Sequence, residues 1–475
     1  MAGARLLDLS SDLLQRICGS LSTQERECLF STCKQLAHFG STDPWCLEQL
    51  ATLEFDTDPD SLEALSLTRW LQSRLGCLRR LKLANKAENG SQASVPMVLL
   101  GALAGAPLVS LAVEVWESAT GFSHLDIGSW VRVFPELKHL ELAARNLTAR
   151  LPLSSLTGLT SLSLSLKDPE HYNSARLYMD DHCLPASLRH LYLDGFDALP
   201  PAVAKAPQLE QLYISSDPGA MLGSHLSGLA ALTELTALRI EGYLLHLPAD
   251  LTSLHKLKVL DLWCNCLWQD GNAGPESKLL SSLSKLEKLY LHYSTGPEGD
   301  IQGLSLKLPS LKVLSLAKIH LASLPELPFG SLEKLELDLD LAVGGCQRFS
   351  EMTRLQELRL GLFGQFDGLP EDEKQFDGLP EDKKQVVMQQ LPLLWRALSQ
   401  LETLRQVWLC RYAVIDLVGD GHEFAAAEQW AKQMGGAVRV LLGAFMEGKD
   451  YFSVKGYYDS GGFHHEFATA WDAVE

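Results

Sequence analysis

Residues 247–265 read LPADLTSLHKLKVLDLWCN, and this stretch decides the fold of the chain. The spacing of its later leucines changes from three to two along Leu254, Leu257, Leu260 and Leu262. A spacing of two is typical of a β-strand, in which successive side chains point to opposite faces. Leu251 and Leu254 precede the strand and predict a short return helix or an extended arc. A unit of about twenty residues cannot bury its own leucines, so it requires neighbouring copies.

The strand core LxxLxL recurs through most of the chain. Its copies, of which the second and the last are weaker, begin at Leu78, Leu108, Leu137, Leu159, Leu188, Leu209, Leu235, Leu257, Leu286, Leu311, Leu332, Leu355 and Leu404. From Leu188 to Leu355 successive copies begin 21, 26, 22, 29, 25, 21 and 23 residues apart. This spacing and the motif resemble leucine-rich repeats. The resemblance implies an α/β solenoid, a horseshoe with a parallel sheet on its concave side.

Residues 1–50 do not follow the repeat and predict three short helices. Ser10 or Ser11 can cap the first helix, and residues 22–25 (STQE) form a capping box for the second. This segment resembles an F-box. The resemblance rests on an acid, Asp12, on the apolar residues Leu9, Leu13, Leu14, Ile17 and Leu21, and on Lys34 and Trp45 further along the chain. Ser10 stands where the family usually has proline. The alternative is a helical cap that covers the first repeat.

F-box proteins with leucine-rich repeats are substrate-recognition adaptors of Skp–cullin–F-box ubiquitin ligases, and the resemblance implies that role here. The five apolar positions of the F-box-like segment would then contact a Skp-type adaptor, which joins the chain to a cullin ligase. The repeats would bind an unknown protein substrate through the concave face. The alternative is a cytosolic protein–protein interaction scaffold of the same fold, without a ubiquitin link.

The composition and the motifs of the sequence argue against several other classes of function. A net charge of −18 argues against nucleic acid or an anionic membrane as the main partner. Residues 95–113 are uncharged, but Pro96 and Pro107 interrupt them and a repeat ends them, so no membrane span is expected. The cysteines are scattered without a CxxC motif, which favours reduced thiols in the cytoplasm or the nucleus.

The sequence contains no catalytic motif, so we expect no enzyme activity and no cofactor. The adjacent residues His464 and His465 could indicate a metal site. The neighbouring residues Gly461 and Gly462 favour a loop, however, and no metal is expected.

Two further segments depart from the repeat. A tandem decapeptide, QFDGLPEDEK at 365–374 and QFDGLPEDKK at 375–384, predicts an acidic surface loop, or alternatively a loop that touches a partner. After Leu409 the period is lost. Residues 411–475 therefore predict a C-terminal capping segment, with a helix at 423–434 and strands at 437–441 and 451–454. The repeats themselves are assigned to residues 56–410.

The repeat pattern also predicts a binding surface. Residues between the strand leucines face away from the leucine core, and neighbouring strands lie about 4.8 Å apart, so these residues form a continuous strip. Tyr, Trp and Arg are the residues that interfaces favour. The predicted substrate-binding residues, expected to be exposed, are Tyr192, Tyr213, Arg239, Asp261, Trp263, Tyr290 and His292. The alternative is that these side chains only pack against each other across strands.

Overall fold

The structure, a computed structural model, describes the repeats in most of their length. The described residues are 52–55, 79–85, 103–115, 133–144, 153–166, 184–196, 198–216, 222, 226–244, 246–265, 272–292, 301–316, 319, 321, 323–361, 381–410, 417, 423–433 and 439–443. The F-box-like residues 1–50, residues 365–380 of the decapeptide repeat, and the predicted strand at 451–454 with His464 and His465 lie outside these ranges.

The chain divides into two compact units. The first comprises residues 1–196 and 200–208, and the second comprises residues 197–199 and 209–475. Six described strands belong to the first unit: β1 (Thr52–Phe55), β2 (Arg80–Asn85), β3 (Ser110–Val115), β4 (His139–Ala144), β5 (Ser161–Leu166) and β6 (His190–Asp194). Each pairs in parallel with the next.

Nine described strands belong to the second unit, again paired in parallel in chain order. They are β7 (Gln211–Ser215), β8 (Ala237–Tyr243), β9 (Val259–Asn265), β10 (Lys288–His292), β11 (Val313–Ser315), β12 (Lys334–Asp338), β13 (Glu357–Gly361), β14 (Gln406–Cys410) and β15 (Arg439–Gly443). One strand corresponds to every LxxLxL copy of the sequence, and the strand begins two residues after the first leucine of that copy. The predicted parallel sheet of a leucine-rich repeat solenoid is therefore confirmed at each copy.

The core of the second unit is a set of leucine rows that run across the strands. One row, in direct register, consists of Leu212, Leu238, Leu260, Leu289, Leu314, Leu335 and Leu358. All of these side chains are buried. Burial of one leucine side chain contributes about 1.5–3 kcal/mol relative to leaving it in water, so the repeats stabilise one another mainly through these rows.

Short 3₁₀ helices return the chain between several strands. They span Leu153–Ser155, Val203–Lys205, Leu229–Ala231, Ala249–Ser253 and Cys346–Glu351. The fourth confirms the short return helix predicted before β9, with Leu251 and Leu254 buried. Its Asp250 accepts hydrogen bonds from the backbone N–H groups of Gly228 (3.1 Å) and Ala230 (3.4 Å) in the preceding repeat. A side chain of one repeat thus accepts hydrogen bonds from backbone N–H groups at the start of the 3₁₀ helix in the preceding repeat.

Four α-helices replace or follow return segments in the described residues of the second unit. They are α1 (Gly274–Ser281), α2 (Leu339–Gly344), α3 (Glu381–Leu398) and α4 (Glu423–Gln433). The long helix α3 begins at Glu381, so the last four residues of the second decapeptide are helical and do not belong to a loop. Its buried side chains follow helical spacing at Val387, Leu391, Leu394, Trp395 and Leu398. The Trp395 ring lies 5.3 Å from that of Trp430 on α4.

The repeat architecture continues beyond the residue where the sequence period is lost. Helix α4 falls within the helix predicted at 423–434, and strand β15 overlaps the strand predicted at 437–441 and ends two residues beyond it. Strand β15 pairs in parallel with β14 and adds one more strand to the sheet. At the other end, β1 lies before the predicted start of the repeats and pairs with β2.

Among the described residues, no helix is both long enough and apolar enough to cross a membrane. The last four residues of the uncharged stretch 95–113 lie in strand β3.

Two neighbouring leucines of α3 provide a matched test of the packing. Leu394 is fully buried, whereas Leu393 is 55% exposed. Leu394→Ala should lower the free energy of unfolding by about 2–5 kcal/mol, because it leaves a cavity in the core. Leu393→Ala should change it by about 0.5 kcal/mol or less. Urea denaturation of both variants checks this, and equal losses would contradict the packing of α3.

Candidate binding surface on the second unit

The face of the sheet opposite the leucine rows collects most of the predicted strip. The middle positions of successive strands lie in direct register: Tyr213, Arg239, Asp261, Tyr290, Ser315, Glu336, Arg359 and Trp408. Two residues further along each strand, Ser215, Glu241, Trp263 and His292 form a second row. Six of the seven predicted residues are thus brought together. Tyr192 lies on β6 of the first unit, beside Ser163.

We define the Arg239 cluster as the predicted residues of the second unit together with one acid that the prediction omitted. Its members are Tyr213, Arg239, Glu241, Asp261, Trp263, Tyr290 and His292. The expectation that the predicted residues are exposed is wrong for four of them, since Tyr213, Arg239, Asp261 and His292 are buried. Strands about 4.8 Å apart force long side chains in adjacent strands to cover one another. Each of these four side chains lies close to a side chain on an adjacent strand.

Arg239 lies at the centre of the cluster and is 2% exposed. Its guanidinium carbon is 5.1 Å from the ring centroid of Tyr213 and 5.3 Å from that of Trp263. Contacts of this kind between a guanidinium and an aromatic face are favourable, the more so when water is excluded. Nη2 of Arg239 donates a hydrogen bond of 3.0 Å to Glu241, and Nη1 lies 3.7 Å from Asp261.

Glu241 is the acid that reaches solvent, with its side chain 37% exposed. Its Oε2 atom accepts hydrogen bonds from the hydroxyl of Tyr213 at 2.8 Å and from Arg239 at 3.0 Å. The carboxylate is therefore held in one position before any partner arrives. Glu241 is not among the binding residues that the sequence predicts. The signal that could have found it is its register beside Trp263, one strand away.

Asp261 is the acid that does not reach solvent, with its side chain 1% exposed. Its oxygens lie 3.7 Å from Nη1 of Arg239 and 3.9 Å from Nε2 of His292. Burial raises the pKa of Asp261 from 3.8 to about 7, an effect that the charge of Arg239 opposes and that of Glu241 reinforces. This carboxyl group therefore changes its charge near neutral pH.

Aromatic rings cover the rest of the Arg239 cluster. The rings of Trp263 and His292 stack with centroids 4.3 Å apart, and those of Tyr290 and His292 lie 6.4 Å apart. Tyr290 also packs against Ala237 and Val259 on the same face. Trp263, Tyr290 and Glu241 retain partial exposure. A partner on this face would meet two fixed aromatic side chains and one fixed carboxylate.

A second polar group lies further along the same face. The hydroxyl of Ser315 donates a hydrogen bond of 2.7 Å to Glu336, which is buried. Burial raises the pKa of Glu336, and the charge of Arg359 opposes that effect. Arg359 donates a hydrogen bond of 2.7 Å to Glu357 and lies 5.9 Å from the ring centroid of Trp408. The face thus repeats the combination of an arginine, two acids and a tryptophan.

The other predicted sites receive no structural account. The five positions assigned to Skp-adaptor contact belong to residues 1–50, which the structure does not describe. Within the part of the chain that it does describe, no group of three or more His, Cys, Asp or Glu side chains is arranged to hold a metal ion.

Comparison with known proteins finds similarity to solved structures. A leucine-rich repeat protein of Leptospira interrogans matches 84% of this chain and 91% of its own, with 18% sequence identity and a TM-score of 0.44. No protein-family model matches the sequence, and no curated protein does. At that TM-score the similarity carries no argument. The description of the chain as a repeat protein rests on its own strands and leucine rows.

The raised pKa of Asp261 predicts how stability depends on pH. In the folded state the carboxyl group keeps its proton up to about pH 7, whereas in the unfolded chain it loses the proton near 3.8. Stability therefore falls as pH rises from about 4 to 7 and this loss is complete above 7. Asp261→Asn removes this titration. The free energy of unfolding of the variant minus that of the native protein should therefore increase by about 3 kcal/mol from pH 5 to pH 8.

Urea denaturation of Asp261→Asn at both pH values measures this change. Glu234→Gln, which removes an exposed acid from the turn before β8, is the control and should show a constant difference from the native protein. A constant difference for Asp261→Asn as well would show that this carboxyl group is not shifted.

Proposed function

We propose that the chain is a non-enzymatic interaction protein that binds a protein partner on the sheet face of its second unit. The observation that carries this proposal is the Arg239 cluster, in which buried polar contacts fix the partly exposed side chains of Glu241, Trp263 and Tyr290. Side chains that are already held in place lose little freedom when a partner binds, which favours affinity. Fixed aromatic side chains are also the usual centres of interface energy.

The finer proposal is that the partner is a substrate for ubiquitination. The resemblance of residues 1–50 to an F-box supports it, because F-box proteins with leucine-rich repeats bring substrates to a Skp–cullin–F-box ligase. In this role the chain raises the local concentration of substrate near the ligase. The second candidate is a scaffold without a ubiquitin link, in which residues 1–50 only cover the first repeat. The departure at Ser10 from the usual proline favours this candidate.

Binding of a Skp-type adaptor separates the two candidates. The full chain should retain a purified Skp-type adaptor in a pull-down, and Leu14→Asp should abolish this, because it places an unpaired charge in an apolar contact. Gln15→Asp, the same change at the next position of the predicted helix but off its apolar face, should retain the adaptor. Undiminished recovery with Leu14→Asp would sink the adaptor assignment and leave the scaffold.

The sheet face is tested with a double variant. Trp263→Ala with Tyr290→Ala should weaken binding of a captured partner by about 2 kcal/mol or more, as expected for the loss of interface anchors. Leu393→Ala, which also removes an exposed apolar side chain, is the control and should bind normally. Calorimetry gives the affinity, and circular dichroism of the same samples reports folding. Normal affinity in the folded double variant would place the binding site elsewhere.

A further inference from the structure

We propose that the partner segment received at Glu241 and the partly exposed Trp263 is basic and carries lysine or arginine. This inference rests on the proposed function of the sheet face and adds the chemistry of what it binds. Three features support it, namely the charge balance of the Arg239 cluster, the distribution of charge across the described strands, and the net charge of the whole sequence.

The charge balance of the Arg239 cluster has one acid more than it has permanent cations. Glu241 and Asp261 both approach the single guanidinium of Arg239, at 3.0 Å and 3.7 Å. Asp261 is buried, and its neighbours include Trp263, whose indole N–H favours the ionised carboxylate, and His292, whose Nε2 lies 3.9 Å away. With Asp261 ionised and His292 neutral, the cluster carries a net charge of about −1, and a buried charge without compensation is costly.

A cation on the partner would remove this imbalance. Glu241 is the member of the cluster that solvent reaches, so an ammonium or guanidinium group of the partner can pair with it directly. Arg239 is then relieved of part of its interaction with Glu241 and can neutralise Asp261. Charge-assisted hydrogen bonds of this type are about twice as strong as neutral ones.

Charge is also distributed unevenly along the strands from β7 to β12. The row toward the carboxyl ends of the strands contains two acids and no lysine or arginine: Ser215, Glu241, Trp263, His292 and Asp338. The row toward the amino ends contains two lysines and no acid: Gln211, Ala237, Val259, Lys288, Val313 and Lys334. A basic segment is therefore attracted to the first row, whereas the second row offers it no acid on these strands, and Lys334 is already paired with Glu357 of β13 at 3.0 Å. This arrangement sets the side of the face on which the partner lies.

The whole chain favours the same kind of partner at longer range. Its net charge of −18 attracts a basic molecule and repels an acidic one before contact. Such attraction raises association rates at low salt and weakens as salt is added. Because this effect alone would bind any basic peptide at many places, the experiment has to separate it from a site at Glu241.

The probe is a fluorescein-labelled nine-residue peptide of alternating lysine and alanine, with a glutamate and alanine peptide of the same length for comparison. Fluorescence anisotropy with the full chain should show saturable binding of the basic peptide and none of the acidic one. Glu241→Gln should weaken binding about tenfold. Glu234→Gln removes the same charge from an exposed site before β8, and it should change the affinity less than about twofold.

The pH dependence of the same binding reports the state of the buried acid. Asp261 faces Arg239 and Glu241 on β8 and Tyr290 and His292 on β10, with Trp263 on its own strand. Ionisation of Asp261 adds a negative charge to this group, so binding of the basic peptide should strengthen between pH 6 and pH 8. Asp261→Asn should reduce the dependence on pH.

Cross-linking of the unaltered chain gives a test that does not depend on the folding of a variant. A carbodiimide should join a lysine of the basic peptide to Glu241, and mass spectrometry would identify the joined residues. Cross-links to other acids without Glu241, or equal losses of affinity in Glu241→Gln and Glu234→Gln, would overturn the proposal. If a natural partner depends on Trp263 and Tyr290 but not on Glu241, this inference fails and the proposed function stands.

Discussion

Parallel pairing in register is the constraint on which both the core and the candidate site depend. Backbone hydrogen bonds place Leu260 beside Leu238 on one side and Leu289 on the other. Because side chains alternate between the two faces of a strand, the same register places Asp261 between Arg239 and Tyr290. A slip of one residue would move leucines into the polar layer and charges into the core. The leucine rows therefore also hold the Arg239 cluster in position.

The polar layer created by this register is unusual in being buried. A charge removed from water has to be paired and hydrogen-bonded to be tolerated. Arg239 meets this need through Glu241 and two aromatic rings, whereas Asp261 meets it only in part, and its raised pKa reflects that deficit. Partly compensated charge contributes little to stability. We interpret it as a feature of recognition, since it leaves the layer able to gain from an added cation.

The strands could be predicted from the sequence because each requires only alternate leucines, which remain visible even in the weaker copies at Leu108 and Leu404. The exposure of the opposite face could not be predicted from the sequence. The alternation of side chains along a strand shows which face a side chain is on, but not which neighbouring side chains cover it. Arg239 is covered by residues 26 positions before and 24 positions after it, Tyr213 and Trp263. The helix Glu381–Leu398 could not be predicted either, since the decapeptide that it overlaps and Pro392 within it suggest a loop.

The central claim is that two carboxylates share one guanidinium and that the buried one, Asp261, titrates near neutral pH. Carbon-13 NMR of the chain labelled at the aspartate carboxyl carbons measures this directly, and the signal that disappears in Asp261→Asn identifies the residue. The account predicts a midpoint near pH 7 for Asp261. A midpoint near 4, the ordinary value of an aspartate in water, would show that the layer is open or that Asp261 is fully compensated.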